Sequence, residues 1–431
     1  MSADLSTEPS FAPARSAVPR AADATTFSII LALSFSHFLN DMIQSLVPAL
    51  YPMLKGTYGL SFAQIGMITL TMQMTSSILQ PVVGAIADKR PQPYSLPVGM
   101  GATLTGLLLL AHASSFPLLL LSASMVGAGS AVFHPEASRV ARMASGGRHG
   151  LAQSLFQVGG NVGSATGPIL AAFIIIPKGQ GSITWFSGAA LLAMAVLIAV
   201  GNWHWRERAA GPARGRAISG AAAPNLSRRR VAWSVVILLT LVFSKSFYTT
   251  SLNSYYTFYL MNKFGLSIRE GQVYLFVFLA SVALGTLIGG PVGDRIGRKW
   301  VIWGSILGVI PFTLALPHVG LAWTGIFSVL IGLTMASASS AIVVYAIDLM
   351  PGKVGTVAGL FFGLSFGLGG VGAAALGRLA DATSITFVYQ VCAFLPLLGL
   401  LTIFLPDVGR IARPRPPLRK PPVDAPVPTP A

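Results

Sequence analysis

Long apolar runs, most of roughly 20 residues or more, fill this chain and are separated by short charged or glycine-rich turns. About 20 apolar residues are what a helix needs to cross a bilayer. The runs are continuous, not alternating, which favours spanning helices over a barrel. They fall at 26–54, 60–86, 94–113, 116–142, 150–175 and 182–203, then at 231–260, 270–293, 299–317, 320–349, 353–379 and 384–405. The expected fold is therefore an all-α membrane protein with twelve transmembrane helices in two six-helix halves, 25–203 and 231–405. Composition agrees: 10% of residues are charged and 53% hydrophobic, against about 25% charged in a soluble protein.

The segments outside the runs read differently. Residues 1–24 are rich in Ala, Ser and Pro, and 406–431 are Pro-rich and basic. Both have the composition of disordered tails. Residues 1–24 lack the basic start and immediate apolar core of a cleaved signal peptide. Residues 204–230 form a polar linker carrying Arg206, Arg208, Arg214, Arg216, Arg228, Arg229 and Arg230.

The formal charge of +16 suggests nucleic acid at first sight. The basic residues, however, occupy gaps between apolar runs, so nucleic acid is not an expected partner; membrane lipid is. The tails, the linker and the turns near 89, 145, 297 and 352 share one side. The other side keeps Lys55, Lys178, Lys263, Arg269 and Arg378. The positive-inside rule then places both termini in the cytoplasm. Cys392, the one cysteine, lies in an apolar run and is expected to pack, with no disulfide or metal. The chain lacks H-E-x-x-H, G-x-S-x-G and G-x-x-x-x-G-K-[ST], so neither an enzyme nor an ATP-driven pump is expected, and no cofactor.

One charged turn occurs twice. Residues 290–299 read Gly-Pro-Val-Gly-Asp-Arg-Ile-Gly-Arg-Lys, and Gly84-Ala85-Ile86-Ala87-Asp88-Lys89-Arg90 is a weaker copy at the matching place in the first half. The pattern resembles the loop between the second and third helices of major facilitator superfamily transporters, which recurs between helices 8 and 9. The resemblance implies alternating access, with Gly84, Asp88, Arg90, Gly290, Asp294, Arg295, Gly297 and Arg298 as gate residues. Gly84 and Gly290 are expected to let helix backbones approach closely. Asp88 and Asp294 are expected to accept from backbone N–H groups or pair with neighbouring Arg. The plainer reading is a solvated turn whose charges set topology. The first copy departs from the pattern in its Lys89-Arg90-Pro91 ending.

Polar residues inside the apolar runs are costly and are functional candidates by default. In the first run His37, Asp41 and Gln44 recur at helical spacing and share a face. Asp41 can take up or release a proton, and His37 can pair with it; a structural hydrogen-bonded pair is the alternative. The fourth run carries His134-Pro135-Glu136, with Arg139 a turn beyond. His134 and Glu136 are two apart and face different ways. Both are candidates for proton or substrate handling, and Arg139 either attracts an anion or snorkels. In the fifth run Gln153, Gln157 and Asn161 form a polar stripe, and Gly160, Gly163, Gly167 and Ala171 a small-residue face suited to tight packing. In the seventh, Lys245, Thr249, Asn253 and Tyr256 share a face. Lys245 is a candidate for an acidic substrate or for pairing with Asp41, since helices 1 and 7 hold matching places in the two halves. Snorkelling is its plainer reading.

The strings Phe35-Ser36-His37-Phe38-Leu39-Asn40-Asp41-Met42 and His134-Pro135-Glu136-Ala137 strongly resemble the fosmidomycin resistance protein family, inner-membrane efflux carriers of the same superfamily. The resemblance spans the membrane core, about 26–405. It implies export of a small phosphonate antibiotic in exchange for inward protons, by a carrier expected to act as a monomer. A phosphonate would suit Lys245, His134 and nearby Arg; Asp41 and Glu136 would suit the proton. The alternative is proton-coupled uptake or symport of a small anionic metabolite.

Overall fold

The protein is seen in a computed structural model that describes residues 25–89, 92–209, 227–296, 298–350 and 354–406. The first half contains α1 (Phe27–Ala49), α2 (Phe62–Lys89), α3 (Ser95–His112), α4 (Phe116–Met143), α5 (His149–Leu170) and α6 (Ser187–Ala209). The second contains α7 (Arg228–Phe264), α8 (Ile268–Ile296), α9 (Arg298–Ala315), α10 (Leu321–Leu349), α11 (Val354–Ala382) and α12 (Ile385–Cys392). A 3-10 stretch, Leu395–Phe404, prolongs α12. Helices α6 and α7 reach further toward the linker than their apolar runs, because Trp203, Trp205, Arg228 and Trp233 can sit at a membrane interface while the backbone stays helical. The tails and 210–226 lie outside the described residues.

Among the described residues, eleven helices are long and apolar enough to cross a membrane. The exception is α2, which is 28 residues long but carries Gln64, Thr69, Thr71, Gln73, Thr75, Ser76, Ser77 and Gln80. It packs along α4 within its own half and along α11 of the other. A helix between protein neighbours can keep polar residues that a lipid-facing helix cannot.

The duplication is visible at a second place. Tyr58-Gly59-Leu60-Ser61 precedes α2, and Phe264-Gly265-Leu266-Ser267 precedes α8. Both glycines are left-handed, with φ of 63° and 67°; Gly59 closes a short helix, Tyr51–Tyr58, that follows α1, and Gly265 closes α7. Both serines then open a capping box. Gln64 N donates to Ser61 Oγ at 3.1 Å and Ser61 N to Gln64 Oε1 at 2.9 Å. Glu270 N donates to Ser267 Oγ at 3.3 Å and Ser267 N to Glu270 Oε2 at 2.8 Å.

The halves are tied at the end away from the linker. Asp381 at the end of α11 accepts from Phe62 N at 2.8 Å and Ala63 N at 2.7 Å, the first turn of α2. Gln272 of α8 donates to Ala49 O at 2.7 Å. Deeper in, Ser254 of α7 meets Thr69 at 3.3 Å, and Ser77 donates to Gly363 O at 2.6 Å. Among the described residues, the side-chain hydrogen bonds crossing between halves run from that rim to about mid-depth.

Gly84 corrects one expectation. Among the described residues a Cβ there would meet nothing within 4 Å, so no close helix approach is seen at this glycine. The side chains of Asp88, Arg90, Asp294, Arg295 and Arg298, together with Gly290 and Gly297, lie outside the described residues.

Candidate functional site

Helix α1 presents His37 and Asp41 one turn apart, and α4 brings His134 to the same carboxylate. His37 Nε2 lies 3.3 Å from Asp41 Oδ2, and His134 Nε2 lies 3.6 Å from Asp41 Oδ1. Asn40 donates to Asp41 Oδ1 at 3.0 Å. His37 is 1% exposed, Asp41 16% and His134 24%, so the group opens on the His134 side. There the His134 ring lies 6.0 Å from that of Phe366 in α11, which places the opening between the two halves.

The opposite nitrogens fix both rings. His37 Nδ1 lies 2.8 Å from Phe156 O, and His134 Nδ1 lies 3.1 Å from Ser130 O. A carbonyl oxygen only accepts, so His37 Nδ1 carries the hydrogen; His134 Nδ1 also lies 3.2 Å from the Ser130 hydroxyl, which can donate or accept. The neutral His37 ring therefore turns its Nε2 lone pair toward the carboxylate, and His134 does the same in the tautomer whose Nδ1 donates to Ser130 O. That contact is repulsive until a cation, a proton in the simplest case, lies between them. The His37 ring also stacks on Phe156 at 4.1 Å.

Helix α5 closes the other side. A Cβ on Gly160 would strike the His37 ring and approach Asp41 Oδ2 at 2.8 Å. Gly163 and Gly167 bring α5 against Phe38 and Ser45 of α1 in the same way. Gln44 and Asn161 are half-buried, and Gln44 Nε2 and Asn161 Nδ2 have no hydrogen-bond partner among the described residues. Gln157 is half-buried; Gln153 is exposed and accepts from Ser138 at 2.9 Å.

The other ionisable candidates are elsewhere. Glu136, 2% exposed, forms an ion pair with Arg139, whose Nε donates to it at 3.0 Å. Two residues is about 200° around a helix, which turns Glu136 away from Asp41. The expectation that Lys245 meets Asp41 is corrected. Lys245 lines a cavity with Ile306, Val309, Met335, Ala338 and Ile342, inside the second half. It stands nine residues from Ser254, which meets Thr69 of α2, and nine residues place two side chains on opposite faces of a helix. Tyr256, about three turns beyond Lys245, shares its face; it is fully buried, with its ring 6.4 Å from that of Tyr389. Asn253 is half-buried.

Sequence spacing does not reveal Asn40, Phe156 and Phe366 as the surroundings of Asp41, nor Asp381 as a tie between halves. It also shows no metal-ligand cluster. Three possible ligands nevertheless converge at His37, Asp41 and His134, because α1 and α4 are distant in sequence and adjacent in space.

A sequence profile of the Major Facilitator Superfamily matches residues 33–374 and, again, 252–429. The chain belongs to the Major Facilitator Superfamily. It is 61% identical over 383 residues to the fosmidomycin resistance protein of Escherichia coli (strain K12), covering 89% of this chain and 94% of that one. It is 43% identical over 397 residues to an uncharacterized MFS-type transporter of Bacillus subtilis (strain 168), covering 92% and 97%. Among solved structures, a bacterial homologue of the human lysosomal transporter Spinster, inward-facing and occupied, aligns with a TM-score of 0.65 at 16% identity, over 90% of this chain and 96% of that one. The nucleoside transporter NupG aligns with a TM-score of 0.65 at 12% identity, over 87% and 98%. These two likenesses concern the fold alone. The chain is thus a multi-pass inner-membrane transporter of a small solute, related to a fosmidomycin resistance protein.

Proposed function

We propose that this protein exports a small anionic compound, a phosphonate such as fosmidomycin, in exchange for protons, and that His37, Asp41 and His134 hold the proton. The observation that carries the reading is the carboxylate of Asp41 set between two Nε2 atoms at 3.3 and 3.6 Å, beside the opening between the halves. A proton there turns a repulsive contact into a charge-assisted hydrogen bond, and its departure restores the repulsion. Such a group can report its loading to both helices that carry it. The relative's name supports the substrate class. The linker side is taken as cytoplasmic, and the turns at 84–90 and 290–298 as the gates on that side. The carrier works as a monomer.

A second reading has its own support. Arg139 is engaged by Glu136, and Lys245 lies inside the second half. An anion docking on the protonated histidines would then bind together with the proton, which favours symport. Everted membrane vesicles separate the two. With exchange, fosmidomycin enters an acidified vesicle while protons leave. Movement of both in one direction contradicts export by exchange.

A further inference from the structure

We propose that His37, Asp41 and His134 form a binding site for one divalent transition-metal ion of the zinc or cobalt type. The inference deepens the proton reading, since it concerns the same three side chains, but it stands on their geometry and needs no transport. The ion is a visitor from the cavity and competes with the proton; it is not a resident cofactor.

The donor set comes first. Two imidazole nitrogens and a carboxylate oxygen lie within 4.8 Å of one another. Among the described residues this is the one such group. Nitrogen donors with one carboxylate suit zinc, cobalt or nickel; calcium and magnesium prefer all-oxygen shells.

The preparation of the ligands is more specific. Metal-bound histidines usually donate their other N–H to a carbonyl or carboxylate, which fixes the tautomer and aims the lone pair. His37 already does this, through Nδ1 to Phe156 O at 2.8 Å, and His134 Nδ1 has Ser130 O at 3.1 Å and the Ser130 hydroxyl at 3.2 Å, so it can adopt the same tautomer. His37 Nε2 is buried, has no hydrogen-bond partner among the described residues and lies 3.3 Å from Asp41 Oδ2. Asn40 holds Asp41 Oδ1 in turn.

The spacing also fits. Zinc binds nitrogen and oxygen at about 2.0–2.1 Å in a tetrahedron, whose edge is then about 3.3–3.4 Å. His37 Nε2 lies 3.3 Å from Asp41 Oδ2 and His134 Nε2 lies 3.6 Å from Oδ1, so a small turn of the carboxylate brings one oxygen to both nitrogens. The remaining nitrogen–nitrogen edge closes by rotation of His134, which is 24% exposed. The fourth position faces the opening and takes a water, as in zinc sites with three protein ligands. Gly160 leaves the room: a Cβ there would strike the His37 ring.

The test uses the purified full-length protein in detergent with Co²⁺ alone as the probe. The expected result is one Co²⁺ per chain with the strong visible absorption of a four-coordinate ion, displaced by one equivalent of Zn²⁺. The absorption disappears in H134Q, and in D41N where that variant folds. H134Q carries the test because its ring is partly exposed and its loss leaves the His37–Asp41 contact in place; thermal unfolding checks its fold. H112Q and H318Q, at exposed positions, keep the absorption. Weak six-coordinate absorption in the unaltered protein, or a strong band that survives H134Q, overturns the site. Because nothing is transported in this assay, its failure leaves the proton reading standing. Loss of proton coupling in liposomes would likewise leave the metal site standing.

Discussion

Asp41 accepts from Asn40 and faces His37 and His134, while Glu136 is paired with Arg139 alone among the described ionisable groups. The two acids therefore have different expected losses. E136Q leaves Arg139 without its partner and is expected to lower stability by about 1–3 kcal/mol, read as a lower melting temperature, with substrate-driven proton movement intact per folded molecule. Loss of that movement would reassign the proton to Glu136. G160A forces a methyl group into the His37 ring and the Asp41 carboxylate. Overpacking of this kind costs about 1–3 kcal/mol, and transport should fall with it; unchanged melting and transport would mean that α5 does not press on the site. His37 and Asp41 are legible as a pair in the sequence because four residues is one helical turn. His134 is legible only as an unusual residue, since its meeting with Asp41 is made by packing of α4 on α1. Sequence alone misplaces Lys245 because α7 carries polar groups on opposite faces, and spacing cannot tell which face meets the other half.

At the scale of elements, the proposed gates lie at the two ends of α2. Its first turn is capped by Asp381 from the other half. D381A removes that cap and should favour opening at that rim. In an A373C background, at a fully buried position on α11, the new thiol would then react several-fold faster with a membrane-impermeant thiol reagent added from outside. Cys392 is buried, so its own contribution is small. Equal rates with and without Asp381 would remove it from the gate. At the other rim, D294N is expected to leave insertion intact and slow turnover sharply, measured in reconstituted protein; normal turnover would reduce that turn to a topology signal. The charged repeat is readable from its residues. The Gly-Leu-Ser repeat before α2 and α8 is equally present in the sequence, but its meaning lies in glycine φ angles and reciprocal serine caps, which need the backbone to be seen.

For the whole molecule, hydropathy is enough to lay out twelve helices because a bilayer demands long apolar runs with internal backbone hydrogen bonding. The number of helices that satisfy a strict apolar test is eleven, since α2 exchanges lipid for protein neighbours. Sequence cannot say which rim is closed, because that depends on contacts between Asp381, Gln272, Ser254 and Ser77 and residues of the other half. The positive-inside rule predicts a cytoplasmic C-terminus; a reporter active only in the periplasm and fused after residue 431 should stay silent, and activity would reverse the orientation. The central claim is that the proton is carried by the group around Asp41. It is tested most directly in liposomes holding matched amounts of folded unaltered protein and D41N, with a pH-sensitive dye inside and a fosmidomycin gradient imposed. The account predicts proton movement opposite to the substrate in the unaltered protein, and none in D41N, which still binds fosmidomycin; proton movement of normal size in D41N would contradict it.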